Sequence, residues 1–255
     1  MERFDERFIR DVFSYSTIDS TNTEAKRLIK SGKIRKSAMV ISQRQTAGRG
    51  RGRHRWWSGQ GSLAFTLVWE WDPGQELVAV PLVIGFACRN AAQELISPEK
   101  VYLKWPNDLM ADNRKLGGVL CECDIDASNK NYLVVGVGIN VNDLFSDAPD
   151  EIKDSFVSLA ELNGSVPVDK ERLLSNCLLK LKQSLVLYRR RGLAPFRGQW
   201  AAVDYLFGKK ISLAVNDKTV SGSYAGISPS GGILIRSKGE TKEFLVGEII
   251  RISKS

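Results

Sequence analysis

An α+β fold is predicted by three features of this 255-residue sequence. Period-two strands fill much of the first half, helical blocks interrupt and follow them, and the chain beyond about residue 207 holds only short strands and tight turns. The expected architecture is a mixed, mostly antiparallel sheet with helices over residues 1–206, followed by a small all-β barrel over 207–255.

The elements follow in chain order. Thr21-Asn22-Thr23-Glu24 has capping-box spacing, with Thr21 placed to cap the Glu24 amide, and predicts a helix from Asn22 to Ser31 that ends at Gly32. Ala38–Gln43 is a strand leading into a Gly/Arg loop that runs to about Gly61. Ser62–Glu70 alternates, with Leu63, Phe65, Leu67 and Trp69 on one face. An apolar helical block covers Val80–Ile96. Val101–Lys104 is a short strand halted by Trp105-Pro106-Asn107-Asp108, where proline cannot donate to a ladder. Leu116–Ile125 and Tyr132–Val141 are further strands. Leu173, Leu174, Cys177, Leu178, Leu181 and Leu185 recur at helical spacing across Asp169–Arg191, a helix closed by Gly192. Ile211–Val215, Thr219–Ile227, Gly232–Ser237 and Thr241–Ile252 are strands split by turns such as Asn216-Asp217.

Composition narrows the function. The longest apolar run, Val78–Cys88, contains Pro81 and Gly85 and falls short of the roughly 20 residues of a membrane helix. Met1–Arg7 mixes both charges without an apolar region, so a cytoplasmic protein is expected. Cys88, Cys121, Cys123 and Cys177 read as reduced thiols in a core. Cys121-Glu122-Cys123 lacks the further ligands that zinc requires, and His54 is the only histidine. The net charge is +8, and Arg44, Arg49, Arg51, Arg53 and Arg55 lie within 12 residues that contain no acid. So local an excess points to a specific anion such as a phosphate rather than to a uniformly basic surface.

Three segments carry candidate chemistry. The glycines of Gly48-Arg49-Gly50-Arg51-Gly52 let backbone approach a ligand while the arginines offer bidentate donors. Neither a Walker loop nor a dinucleotide fingerprint is present. In Lys104-Trp105-Pro106-Asn107-Asp108-Leu109, Asn107 and Asp108 are suited to a magnesium ion or a ribose. Lys115, beside Gly117-Gly118, is suited to neutralising charge at a reacting carboxyl or phosphate. Gly136-Val137-Gly138 sits within a strand, where glycines let something flat pack on the sheet. Ser20, Thr21 and Asn22 gather at a helix N-terminus, where free amides and polar side chains converge.

Taken together these motifs resemble the biotin protein ligases, or holocarboxylase synthetases. Gly48–Trp56 is similar to the family's G-R-G-R-x-x-x-x-W, and Lys104–Leu109 is similar to its K-W-P-N-D-L. Lys115–Gly118 matches K-L-x-G, Gly136–Asn140 matches G-x-G-I-N, and Ser20-Thr21-Asn22 matches an early S-T-N. The resemblance implies a class II synthetase-like core with an SH3-like C-terminal domain. It implies an ATP-dependent enzyme that makes biotinyl-5′-adenylate and passes biotin to a lysine of a biotin carboxyl carrier protein domain of a carboxylase.

By the same resemblance, Ser20, Thr21, Asn22 and Gln45 bind the ureido head, and Arg49, Gly50, Arg51, Lys115 and Gly118 complete the biotin site. Arg49, Arg51, Trp56, Asn107, Lys115 and Asn140 bind ATP, with Asn140 reading the adenine. Lys115, Arg51 and Asp108 are the catalytic residues. Magnesium accompanies ATP near Asn107 and Asp108, and Trp56 or Trp57 covers the site. Two departures stand out. Arg53 and His54 replace a small residue and an arginine or asparagine, which leaves a phosphate contact to Arg53 or Arg55. Only 14 residues precede Tyr15, so a ligase without a DNA-binding domain or repressor activity is expected, with a homodimer left open. The rivals are a lipoate or octanoate ligase of the same fold and a nucleic-acid-binding protein using the arginine loop.

Overall fold

The computed structural model describes residues 8–71, 77–96 and 101–254. The mixed-charge start read above, Met1–Arg7, lies outside them. Among the described residues no helix is long and apolar enough to cross a membrane.

Seven strands form the larger sheet: β1 (Asp11–Ile18), β2 (Ser37–Gln45), β3 (Leu63–Glu70), β4 (Tyr102–Lys104), β5 (Asp108–Ala111), β6 (Arg114–Ile125) and β7 (Asn131–Ile139). Their order is β1-β2-β3-β7-β6-β5-β4. Only β1 and β2 run parallel, so the mixed, mostly antiparallel sheet expected from the sequence is present. Helix α1 (Thr21–Lys30) covers one face, burying Ala25, Leu28 and Ile29 against Val40, Val68, Tyr132 and Val134. The other face carries α2 (Val80–Gln93) and α4 (Lys170–Arg191), whose Leu173, Cys177, Leu181 and Leu185 join the main core. Between β7 and α4 lies the single turn of α3 (Leu159–Leu162). Helix α5 (Ala194–Val203) follows α4 and leads into the second sheet.

Period two along the central strands sets up the site. On β7, Leu133, Val135, Val137 and Ile139 face the main core, so Tyr132, Val134, Gly136 and Gly138 share the α1 face. The helix covers Tyr132 and Val134. Beyond them the two glycines leave room for other side chains to pack on the strand.

The second sheet comprises β8 (Lys209–Val215), β9 (Lys218–Ile227), β10 (Ile233–Ser237), β11 (Glu240–Phe244) and β12 (Glu248–Lys254), in the order β11-β10-β9-β8-β12. The closed barrel expected here is not formed, because the order leaves β11 and β12 as two edges. Glu240, Thr241, Lys242 and Glu243 are all exposed, and such a strand has little apolar face to fold onto a partner. The strand expected over Thr241–Ile252 is two strands broken at Gly247, whose φ is +148°. Ile211, Leu213, Ile227, Ile233 and Ile235 pack into the same core as α2 and α4. The Trp105 indole also donates to Gly231 O at 3.0 Å.

Several local expectations need correction. Ser20, not Thr21, caps α1: its side chain accepts from the Thr23 amide, and Glu24 turns outward to Tyr15 and Arg27 instead of closing a box. Asp108–Ala111, read as part of a loop, is a strand paired with β4 and β6. The sequence reading did not include β1, an edge strand that packs only Phe13, Tyr15 and Ile18, or α5, which carries Pro195 and Gly198. Cys88 and Cys177 are buried as expected, but Cys121 is half-buried and Cys123 exposed.

Candidate active site

A cavity of about 620 Å³ opens on the α1 face, bounded by the N-terminus of α1, the Gly/Arg loop, the β4–β5 turn, the middle of β6 and β7, and residues 247–249 of the second sheet. At its inner end Ser20, Thr21 and Asn22 are nearly fully buried. Gln45 Oε1 accepts from the Thr21 amide at 2.8 Å and from Thr21 Oγ1 at 3.1 Å, which leaves the Gln45 amide hydrogens free to donate. Asn22 Nδ2 donates to Glu122 Oε2 at 3.0 Å and to Leu120 O at 3.4 Å, while Asn22 Oδ1 accepts from Thr66 Oγ1 at 2.7 Å. Both Asn22 donors are therefore spent, and one acceptor lone pair remains.

Each β7 glycine admits a particular neighbour. A methyl group at Gly136 would strike the Asn22 amide, and one at Gly138 would lie 2.6 Å from the Trp56 ring. The flat group packed on Gly138 is thus the chain's own indole, whose buried Nε1 has no partner. Trp56 closes the Gly/Arg loop: its amide donates to Gly48 O, Gly50 N donates to His54 O, and Gly52 turns with φ +62°. A side chain at Gly48 would collide with Trp56 O.

The loop is held at three points. Arg49 forms a fork with Glu122 at 3.0 and 2.9 Å. Arg51 Nη1 donates to Gly247 O at 2.8 Å, and His54 Nε2 lies 3.0 Å from Glu248 Oε1. Opposite, Asp108 Oδ1 is 2.6 Å from Lys115 Nζ, and Asp108 Oδ2 is 3.9 Å from Lys104 Nζ. Lys115 Nζ also stands 5.9 Å from the Trp56 ring centre. Asn107 donates to Val119 O at 2.7 Å and so ties its turn to β6.

Ser20, Thr21, Asn22, Gln45, Arg49, Gly50, Arg51, Trp56, Asn107, Asp108, Lys115 and Gly118 all line the one cavity. Asn140 does not line it; its amide donates to Lys115 O and Val157 O, and the residue is buried. It acts as a brace behind Lys115. Trp57 stacks edge-on against Phe156 away from the floor. The sequence reading gave no site role to Lys104, although it stands in the Lys104–Leu109 motif, nor to Glu122, and it passed over the 247–249 segment. A lone carboxylate between two cysteines on a strand was the available signal for Glu122. Among the described residues no cluster of three or more metal-ligating side chains exists. Asn107 and Asp108 supply one amide and one carboxylate already engaged by Lys115, so they do not form a cage for a resident ion.

Known proteins share the sequence pattern and the fold. Residues 14–140 match the model of the biotin/lipoate A/B protein ligase family. The bifunctional ligase/repressor BirA of Salmonella typhimurium is 31% identical over 234 residues, covering 91% of this chain and 71% of that protein. A biotin--[acetyl-CoA-carboxylase] ligase of Paracoccus denitrificans is 29% identical, covering 86% and 91%. The biotin protein ligase of Aquifex aeolicus, solved with biotin and ATP, superposes with a TM-score of 0.82 at 30% identity over 97% of this chain and all of that one. The chain belongs to the biotin/lipoate A/B protein ligase family.

Proposed function

We infer that this chain is an ATP-dependent biotin protein ligase, which forms biotinyl-5′-adenylate and transfers the biotinyl group to a lysine of a carboxylase carrier domain. The similarity to ligases named for biotin and the carboxylase supports the activity. The observation that carries it is the hydrogen-bonding character of the inner cavity. Ser20 Oγ accepts from the Thr23 amide and Gln45 Oε1 from Thr21, so each retains a donor; Thr21 Oγ1 and Asn22 Oδ1 retain acceptors. A ureido ring offers one carbonyl oxygen and two N–H groups and complements this array. The dithiolane of lipoate would leave the array unpaired at a cost of about 1–3 kcal/mol per buried group.

The rest of the cavity then has a direct reading. Arg51 and Lys115, on opposite walls, meet the biotin carboxylate and the ATP α-phosphate, with Gly50 and Gly118 allowing backbone approach. A carboxylate oxygen attacks the α-phosphorus, the P–O bond to the β-phosphate breaks, and pyrophosphate leaves. The two cations neutralise charge that grows on the equatorial oxygens. In the second step a carrier lysine amine attacks the acyl carbon and AMP departs. Asp108, bonded to Lys115, orients that ammonium and stands near the incoming amine. Trp56 walls off the reactive anhydride from water, and Asn107 holds the nucleotide turn. Magnesium enters as the ion ATP carries in solution. We further propose that residues 1–206 carry catalysis and that 207–255 form an SH3-like domain closing the nucleotide end.

Pyrophosphate release from ATP with biotin, lipoate or octanoate offered separately tests the reading. Release with biotin alone, followed by labelling of a carrier domain, is expected. Release with lipoate or octanoate alone overturns the substrate assignment.

A further inference from the structure

Glu122 lies three residues before the end of β6, and its carboxylate is shared by three side chains. It accepts Asn22 Nδ2 at 3.0 Å from the start of α1, Lys26 Nζ at 2.7 Å one turn later, and the Arg49 fork at 2.9 and 3.0 Å from the Gly/Arg loop. Burial pushes its carboxyl up, but the Asn22 amide, the Lys26 ammonium and Arg49 outweigh that and hold it below the usual glutamate range. It is therefore charged in the folded protein. One oxygen, Oε2, receives both Asn22 and Arg49. A group that, with Thr66 and Leu120 O, sets which way Asn22 presents its amide is also the anchor of the arginine loop.

We infer that Glu122 is a positioning residue for the reaction, fixing the Asn22 amide at the head of the cavity and pinning the Gly48–Trp56 loop over it through Arg49. The assignment rests on the biotin reading above. Two consequences follow from the geometry. With its fork committed to Glu122, Arg49 serves to place the loop, and other cations of the cavity, Arg51 and Lys115 among them, face the reacting groups. Because one oxygen serves both contacts, release of Arg49 also frees the oxygen that receives Asn22, so the loop and the head group loosen together.

Glu122→Gln keeps an acceptor for Asn22 but removes the charge that grips Arg49. The experiment follows two readouts: trypsin cleavage within residues 49–55 of the ligand-free protein, located by mass spectrometry, and the KM values for biotin and ATP. Cleavage is expected to quicken about tenfold and the biotin KM to rise about tenfold, the loss of one charge-assisted hydrogen bond. The ATP KM stays within twofold. Lys26→Met, which severs only the third contact, leaves both readouts within twofold of wild type, and Glu122→Gln adds nothing further on an Arg49→Met background. Either readout unchanged in Glu122→Gln, or Lys26→Met reproducing both, overturns the role. The trypsin comparison needs no substrate, so a wild type inactive with biotin would sink the functional reading without touching the loop anchor.

Discussion

Lys115 Nζ lies 2.6 Å from Asp108 Oδ1 across the β5–β6 hairpin. The lysine side chain is 41% exposed and the aspartate 17%. The carboxylate thus holds the ammonium at the cavity edge while leaving other N–H bonds for a ligand. Lys115→Ala should lower the rate of adenylate formation about 10²–10³-fold, the loss typical of removing one transition-state donor. The melting temperature should hardly move. Biotin-dependent pyrophosphate release measures the first and a thermal melt the second; an unchanged rate would remove Lys115 from the chemistry.

Arg51 bonds to Gly247 O and so links the loop to the second sheet. Arg51→Gly removes that tie along with a cation, and the adenylate should escape faster than it is consumed. The expected outcome is labelling of unrelated lysines on a bystander protein, measured by streptavidin blot. Bystander labelling at the wild-type level would argue that retention lies elsewhere.

At Gly136 there is no room for a methyl group beside Asn22. Gly136→Ala should displace the Asn22 amide and raise the biotin KM about tenfold or more, since small misplacements are costly in a preorganised site. ATP affinity should remain near wild type. Calorimetric titration of each ligand separates the two.

Asp204 accepts from Tyr224 OH at 2.6 Å, Trp200 Nε1 at 2.8 Å and the Leu206 amide at 2.9 Å. Asp204→Ala leaves the Tyr224 hydroxyl and the Leu206 amide without their acceptor and Trp200 Nε1 with only its 3.3 Å contact to Tyr224 OH, and should cost about 3 kcal/mol in urea unfolding. Burial raises the Asp204 pKa above its ordinary value in spite of its donors. The folded state therefore holds this proton more tightly than the unfolded chain. The resulting stability is full below the unfolded pKa and lost as pH rises through the folded one. Relative to Asp204→Asn, the wild type should lose stability as pH rises above the ordinary aspartate range; parallel stability curves for the two proteins would contradict the shift.

Much of this arrangement was legible in the residues. The alternation of Leu63, Phe65, Leu67 and Trp69 marked a strand, and the leucine spacing of 173–185 marked a helix, because both patterns reflect burial on one face. Asp108–Ala111 was hidden: a turn signal at Pro106-Asn107 reads the same whether a loop or a strand follows, and only pairing with β4 and β6 makes it a strand. The expected barrel failed for a similar reason. Hairpin turns specify neighbours along the chain, whereas closure depends on whether the first and last strands meet.

By itself, the sequence determined which residue types could serve an acyl-adenylate site, since glycine, arginine, lysine and serine/threonine/asparagine motifs carry their chemistry in local order. The tertiary structure decided which of them meet. It gathered α1, the Gly/Arg loop and β6 around one carboxylate, Glu122, and turned Asn140 inward as a brace. The physical reason is that hydrogen-bond direction and charge pairing are properties of positions in space. A side chain's donors are free or spent according to neighbours far off in the chain, as Glu122 is 100 positions from Asn22 and Gly247 is 196 from Arg51.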